Sequence, residues 1–180
     1  MSETGAPPRV FLIAAVVLAT ALAVTVAVLG ITWGGEEPGT RRPAGPLALV
    51  SVPAPQADSP QCAELVAAAP ETLKSAGRTL PRRELAEPAP PATLAWGEAN
   101  PIVLRCGLPR PGELTRTSPL RVIDGVQWLQ VPGDGSATWY AVDREVYAAL
   151  TVPADAGTGP LQDISGTISA TLPAVPLRFG

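Results

Sequence analysis

Twenty-two consecutive residues, Val10 to Ile31, carry no charge and only three interruptions, Thr20, Thr25 and Gly30. Coiled as a helix, such a run spans roughly 33 Å, close to the ~30 Å hydrocarbon core of a bilayer. It therefore reads as an uncleaved membrane anchor, with Trp33 at its far end where an indole favours the headgroup layer. The rival is a cleaved signal peptide. Its apolar region is shorter, roughly 7–15 residues, and it ends in a small-residue cleavage site that Gly30 to Gly35 does not supply. No cysteine follows directly to take a lipid anchor. One anchor per chain leaves the remaining residues to build a body outside the bilayer.

Composition restricts the chemistry of that body. The sequence contains no histidine, which removes the commonest general base, the Ser-His-Asp and Cys-His pairs, and the commonest zinc ligand. Two cysteines 44 positions apart make neither a four-thiolate site nor a CxxC redox pair. No metal or cofactor is expected. Net charge is −3 with both signs interspersed, so there is no basic stripe to meet nucleic acid. With 22 prolines and 17 glycines, turns and linkers must be frequent.

Along the chain, residues 1–9 form a short cytoplasmic N-terminus and 10–33 the transmembrane helix. Residues 34–58 are a Pro/Gly-rich linker with a first strand at 47–52. Residues 59–173 form the folded domain, and 174–180 a tail. Ser59-Pro60 starts a helix, with Ser as N-cap and Pro at the first helical position. Cys62, Leu65, Val66, Ala69 and Leu73 follow helical spacing, broken or kinked at Pro70. Residues 80–93 read as a Pro-rich loop, with Arg82-Arg83 either solvated or able to bind an anion. Strands are expected at 94–97, 102–106, 120–123, 126–131, 137–142 and 146–152. Asp124-Gly125 is a hairpin signal, and Asp143-Arg144-Glu145 joins the last pair. A final helix, 160–172, carries the apolar stripe Leu161, Ile164, Ile168 and Leu172. Hairpin-joined strands with two amphipathic helices imply an α+β fold, a two-layer domain of antiparallel sheet.

Alternation in the 102–106 strand places Ile102, Leu104 and Cys106 on one face, and Val103 and Arg105 on the other. Cys62 lies on the apolar face of its helix. Both cysteines thus point at the helix–sheet layer, and a Cys62–Cys106 disulfide is expected there; two buried reduced thiols are the alternative. A disulfide requires an oxidising compartment. That places the domain outside the cytoplasm, against the slight preference of Arg9, Arg41 and Arg42 for the opposite orientation.

Several of these residues together resemble an actinobacterial family of membrane-associated proteins, domain of unknown function 3515. The resemblance rests on Cys62, Trp96-Gly97, Pro101 to Gly107 (PIVLRCG) and Pro109-Arg110-Pro111. It continues through Thr117-Ser118, Gly125-Val126, Trp128-Leu129 and Asp143 to Tyr147 (DREVY), covering roughly 59–172. It implies an N-terminal membrane or secretion signal and an extracytoplasmic domain, and brings no activity, cofactor or catalytic residue.

Three function classes follow. A carboxylate enzyme would draw on Asp124, Asp134, Asp143 and Glu145, but acids at turns are usually solvated turn formers. A cell-envelope binding or assembly module is favoured by the aromatic content of the last strands, where both faces carry apolar side chains; the alternative is that the leftover face packs on the Leu80–Leu94 loop. Trp96, Arg105, Trp128, Trp139 and Tyr147 are the candidate interaction surface, for an envelope protein or glycan. An accessory subunit acting through its transmembrane helix is the third; no GxxxG contact motif supports it. The expectation is a non-catalytic module, single-pass in the cell membrane, with its C-terminal domain extracytoplasmic.

Overall fold

The structure, a computed structural model, describes residues 45–179 together with Leu18 and Leu22, both helical. Apart from Leu18 and Leu22, the expected anchor lies outside the described residues. Among those described, no helix is long and apolar enough to cross a membrane. One compact unit runs from Pro43 to Gly180.

Helix α1 (Pro60–Ala68) begins as its sequence dictates: Ser59 is extended and its Oγ accepts from the Cys62 N–H at 3.3 Å. It ends earlier than the apolar spacing suggested. Ala69, preceding Pro70, is forced to ψ 139°, and Leu73 belongs instead to strand β1 (Thr72–Ser75). Its side chain still reaches the core, fully buried. Strand β1 turns through Ala76-Gly77, both at positive φ, into β2 (Arg78–Arg83), where the sequence had suggested a loop. Pro81 is tolerated inside β2 because its side of the strand runs past the end of the neighbour. Its carbonyl accepts at 3.0 Å from the N–H of Gly97, the first residue past β3, so the proline forfeits a donor only where that strand has ended.

Strands β3 (Thr93–Trp96), β4 (Ile102–Leu108), β5 (Leu120–Ile123), β6 (Val126–Gly133), β7 (Ser136–Ala141) and β8 (Tyr147–Pro153) complete an antiparallel sheet of eight. The order is β1-β2-β3-β4-β8-β7-β6-β5, curled as a half-barrel. Asp124 and Gly125 both sit at positive φ in the two-residue β5–β6 turn, as that dipeptide predicts. Helix α2 (Gly159–Thr171) presents Leu161, Ile164 and Ile168, all buried, to the same face of the sheet as α1. The fold is α+β, with two helices on an antiparallel sheet.

Between helices and sheet lies the larger core, including Leu65, Leu73, Trp96, Ile102, Leu104, Trp128, Leu150, Ile164 and Ile168. Its indoles are satisfied: Trp96 Nε1 donates to Pro70 O and Trp128 Nε1 to Ser165 Oγ, each at 2.9 Å. Cys62 and Cys106 are joined in this layer, both wholly buried, with Cα atoms 5.5 Å apart. The bond staples α1 to the central strand β4 across 44 residues.

Residues 47–52 do not form the expected strand. Leu47 makes an isolated parallel bridge to Leu85, with Leu47 N to Glu84 O at 2.8 Å and Ala86 N to Leu47 O at 2.9 Å. The ladder cannot continue, because Pro88, Pro90 and Pro91 lack donors. Further on, Gln56 N donates to Gly107 O at 3.0 Å. This crossing explains Gly107. At φ +83°, a Cβ there would lie 2.2 Å from Ala57 N.

Arg82 and Arg83 are partly exposed, but their guanidiniums are engaged by the chain itself. Arg82 donates to Ala69 O and Pro70 O at the end of α1, pairs with Glu71 at 3.3 Å, and lies over the Trp96 ring. Arg83 donates to Gly45 O (2.9 Å) and Glu98 O (2.6 Å).

Candidate functional site

The sheet face turned away from the helices is partly covered. Leu108, Leu114, Leu129, Val142, Tyr147 and Ala149 form a second, smaller core, packed by Ala54, Leu177 and Phe179. The segment after β4 supplies Leu114, and its turn is held by Ser118, whose Oγ accepts from Thr115 N (2.8 Å) and donates to Glu113 O (2.7 Å). The C-terminal residues run back over the same face. Val175 N donates to Asp143 O at 2.9 Å, and Arg178 reaches the carbonyls of Arg144 and Glu145 while lying over the Tyr147 ring.

Where this cover stops, a cavity of about 400 Å³ remains, within the range of small-ligand sites. Strand register places its floor. One row across the sheet reads Arg105, Ala149, Tyr140; the next reads Thr151, Thr138. Ala149 is small, so a gap opens between Arg105 and Tyr140 on either side of it. Val52, Pro53, Leu108 and Pro111 supply apolar wall, and Arg110 and Glu113 stand on the mouth. Arg110 is engaged, donating to Leu114 O at 2.8 Å.

Arg105 is not engaged. Its Nε is buried without a hydrogen-bond partner, and it forms no ion pair with any described residue. Burial lowers its guanidinium below the ordinary arginine value, opposed by the Tyr140 phenol. It remains a cation at neutral pH, since arginine does not deprotonate in proteins. Tyr140 is shifted upward by burial and then by Glu113, with Arg105 opposing. The phenol therefore stays protonated and available as a donor. The Arg105 Nε is thus desolvated without an acceptor among the described residues, a cost that a bound acceptor would offset.

The other residues singled out in the sequence lie elsewhere. Trp96 and Trp128 are fully buried beneath the helices and offer no surface. Tyr147 is 6% exposed, closed over by Arg178. Trp139 is partly buried on the helix side, with Arg121 over its ring. Only Arg105 of the five lines the cavity. Of the four candidate acids, Asp134 stands apart, while Asp143 and Glu145 flank Arg144, whose Nη2 donates to Gly125 O beside Asp124. Asp124 and Asp134 occupy turns at opposite ends of β6, roughly 25–30 Å apart at strand rise. Asp143 is buried against Arg144, and Glu145 accepts from Gln61. Among the described residues, no group of three or more Cys, Asp or Glu could hold a metal ion. Tyr140 belongs to the aromatic strands but is not among the five, and Thr138, Thr151 and Glu113 give no sequence signal. Alternation does separate Tyr140 and Thr138 from Trp139, but nothing in the sequence places β8 between β4 and β7.

No curated protein and no solved structure matches the chain. The family described as Protein of unknown function (DUF3515) matches residues 16–177, nearly the whole sequence. Within this match lie Cys62 in its disulfide, Trp96 on its carbonyl, Gly107 at the strand crossing and Gly125 in its turn, each with a structural task. The chain belongs to the DUF3515 family.

Proposed function

We propose that this protein is a membrane-anchored, extracytoplasmic, non-catalytic binding module of the cell envelope, and that it engages its ligand at the cavity on the outer face of the sheet. The observation that carries this reading is Arg105, a half-buried guanidinium with no partner among the described residues, lining a cavity of about 400 Å³. A bound group that accepts hydrogen bonds offsets the desolvation of that cation. Anchoring is supported by the uncharged run at 10–31, and the outward location by the Cys62–Cys106 disulfide. The absence of histidine, and the engagement of Asp143 by Arg144 and of Glu145 by Gln61, favour binding over catalysis.

The test is retention of the full-length chain on envelope fractions, comparing the unaltered protein with Thr138→Trp, which fills the cavity from its floor, and with Thr79→Trp, on the exposed surface of β2. Loss with Thr138→Trp alone, at unchanged circular dichroism, is expected. Equal retention of all three removes the cavity from the account.

A further inference from the structure

We propose that the outer-face cavity is a carboxylate site, taking a monoanionic carboxylate borne on an uncharged, partly apolar body, with Arg105 as its anchoring residue. This rests on the reading of the cavity as the binding site and names the chemistry that would occupy it.

Geometry sets the first restriction. Arg105 and Tyr140 are paired to opposite sides of Ala149, so their strands lie about 9.6 Å apart. One planar two-oxygen group fits between them, accepting from the guanidinium fork on one side and from the phenol hydroxyl on the other. The adjacent row adds a hydroxyl. Thr138 and Thr151 lie 3.2 Å apart, so one donates to the other and one O–H remains to be given away. Arg105, Tyr140 and one of the two threonines can therefore donate to an oxyanion.

Charge sets the second. Arg105 and Arg110 against Glu113 leave one net positive charge around the cavity. A monoanion is neutralised there, whereas a dianion leaves excess charge that meets the Glu113 carboxylate at the mouth. The wall sets the third. Val52, Pro53, Leu108 and Pro111 are apolar and three of the four are stiff, a lining for a ring or a short alkyl body.

Two sources carry this chemistry, a peptide C-terminus and an acidic sugar, and probes separate them. The full-length chain, labelled with ¹⁵N, is titrated with N-acetylalanine, with glucuronate, with the neutral amide of each, and with inorganic phosphate. The expected result is that one of the two carboxylates shifts the amides of Arg105, Thr138 and Ala149. Its amide should bind about tenfold to a hundredfold more weakly, and Arg105→Gln should erase the difference between acid and amide. Arg105→Lys, which keeps charge but loses the fork, should fall between. The carboxylate that binds identifies the source. Equal binding of acid and amide, or tighter binding of phosphate, overturns the carboxylate assignment and leaves the cavity as the binding site. Failure of every probe to shift those amides overturns the assignment as well. If retention on envelope fractions also survives Thr138→Trp, the reading of the cavity falls with it.

Discussion

Replacing Arg144 with methionine should unfold this protein at a markedly lower temperature, although Arg144 sits between two strands in what the sequence presents as a turn. Its side chain is 2% exposed and that of Asp143 4% exposed. Arg144 Nη1 lies 2.9 Å from Asp143 Oδ1 and donates to Asp143 O at 3.0 Å; Nη2 donates to Gly125 O at 3.1 Å. The guanidinium thus ties the β7–β8 connection to the β5–β6 turn. Methionine fills much of the volume but leaves the Asp143 carboxylate buried without a counter-ion, which typically costs about 3–5 kcal/mol. For a unit of roughly 135 described residues, unfolding entropy makes each kcal/mol worth about 3.5 °C, so the melting temperature should fall by roughly 11–18 °C. Asp143→Asn combined with Arg144→Met removes both charges and should cost less than the sum of the single changes. Near-UV circular dichroism melts of the four proteins give the cycle. A loss under about 1 kcal/mol for Arg144→Met, or strict additivity, would refute the argument from burial.

Other consequences are checked more briefly. Opening the Cys62–Cys106 loop of 44 residues by a double change to alanine should cost about 4 kcal/mol, an upper figure because prolines already stiffen the unfolded loop; urea unfolding followed by tryptophan fluorescence measures it, and an unchanged midpoint contradicts it. In Tyr147→Phe protein, Tyr140 is the sole tyrosine, and alkaline absorbance titration should place its midpoint above the ordinary value of about 10. The sign follows: the folded state holds that proton more tightly, so this stabilisation is complete below pH ~10 and is lost as pH rises through the folded value. A midpoint at or below that of free tyrosine counts against the buried environment. A reporter active only in the cytoplasm, fused after Gly180, should be silent; activity there would reverse the orientation.

How far the sequence exposed this fold depended on whether the signal was local. Ser59-Pro60, Asp124-Gly125 and the Leu161–Ile164–Ile168 stripe each fix backbone geometry or a face through neighbours in the chain, and each is where it was expected. Alternation in 102–106 correctly set Cys106 toward the helices and Arg105 away. The β1–β2 hairpin was hidden because Ala76-Gly77 is a weak turn signal and Pro81 argues against a strand. Only the sheet's extent shows that Pro81 stands opposite the end of β3, where a donor is least missed. The aromatic residues were misplaced for a tertiary reason. An apolar face left over by two helices read either as a surface or as packed on the Leu80–Leu94 loop, yet the segment around Leu114 and the residues to Phe179 cover much of it, while Trp96 and Trp128 lie under the helices. The cavity was out of reach because Arg105 and Tyr140 meet only through β8, which joins the sheet between β4 and β7.

Amide hydrogen exchange of the full-length chain, with and without saturating envelope fraction, tests the central claim most directly. Binding at the outer-face cavity predicts added protection in β4, β7, β8 and the 109–114 segment, and none in α1, α2 or along β5. Protection confined to the helices or to the β5 edge, with the cavity strands unchanged, would contradict it.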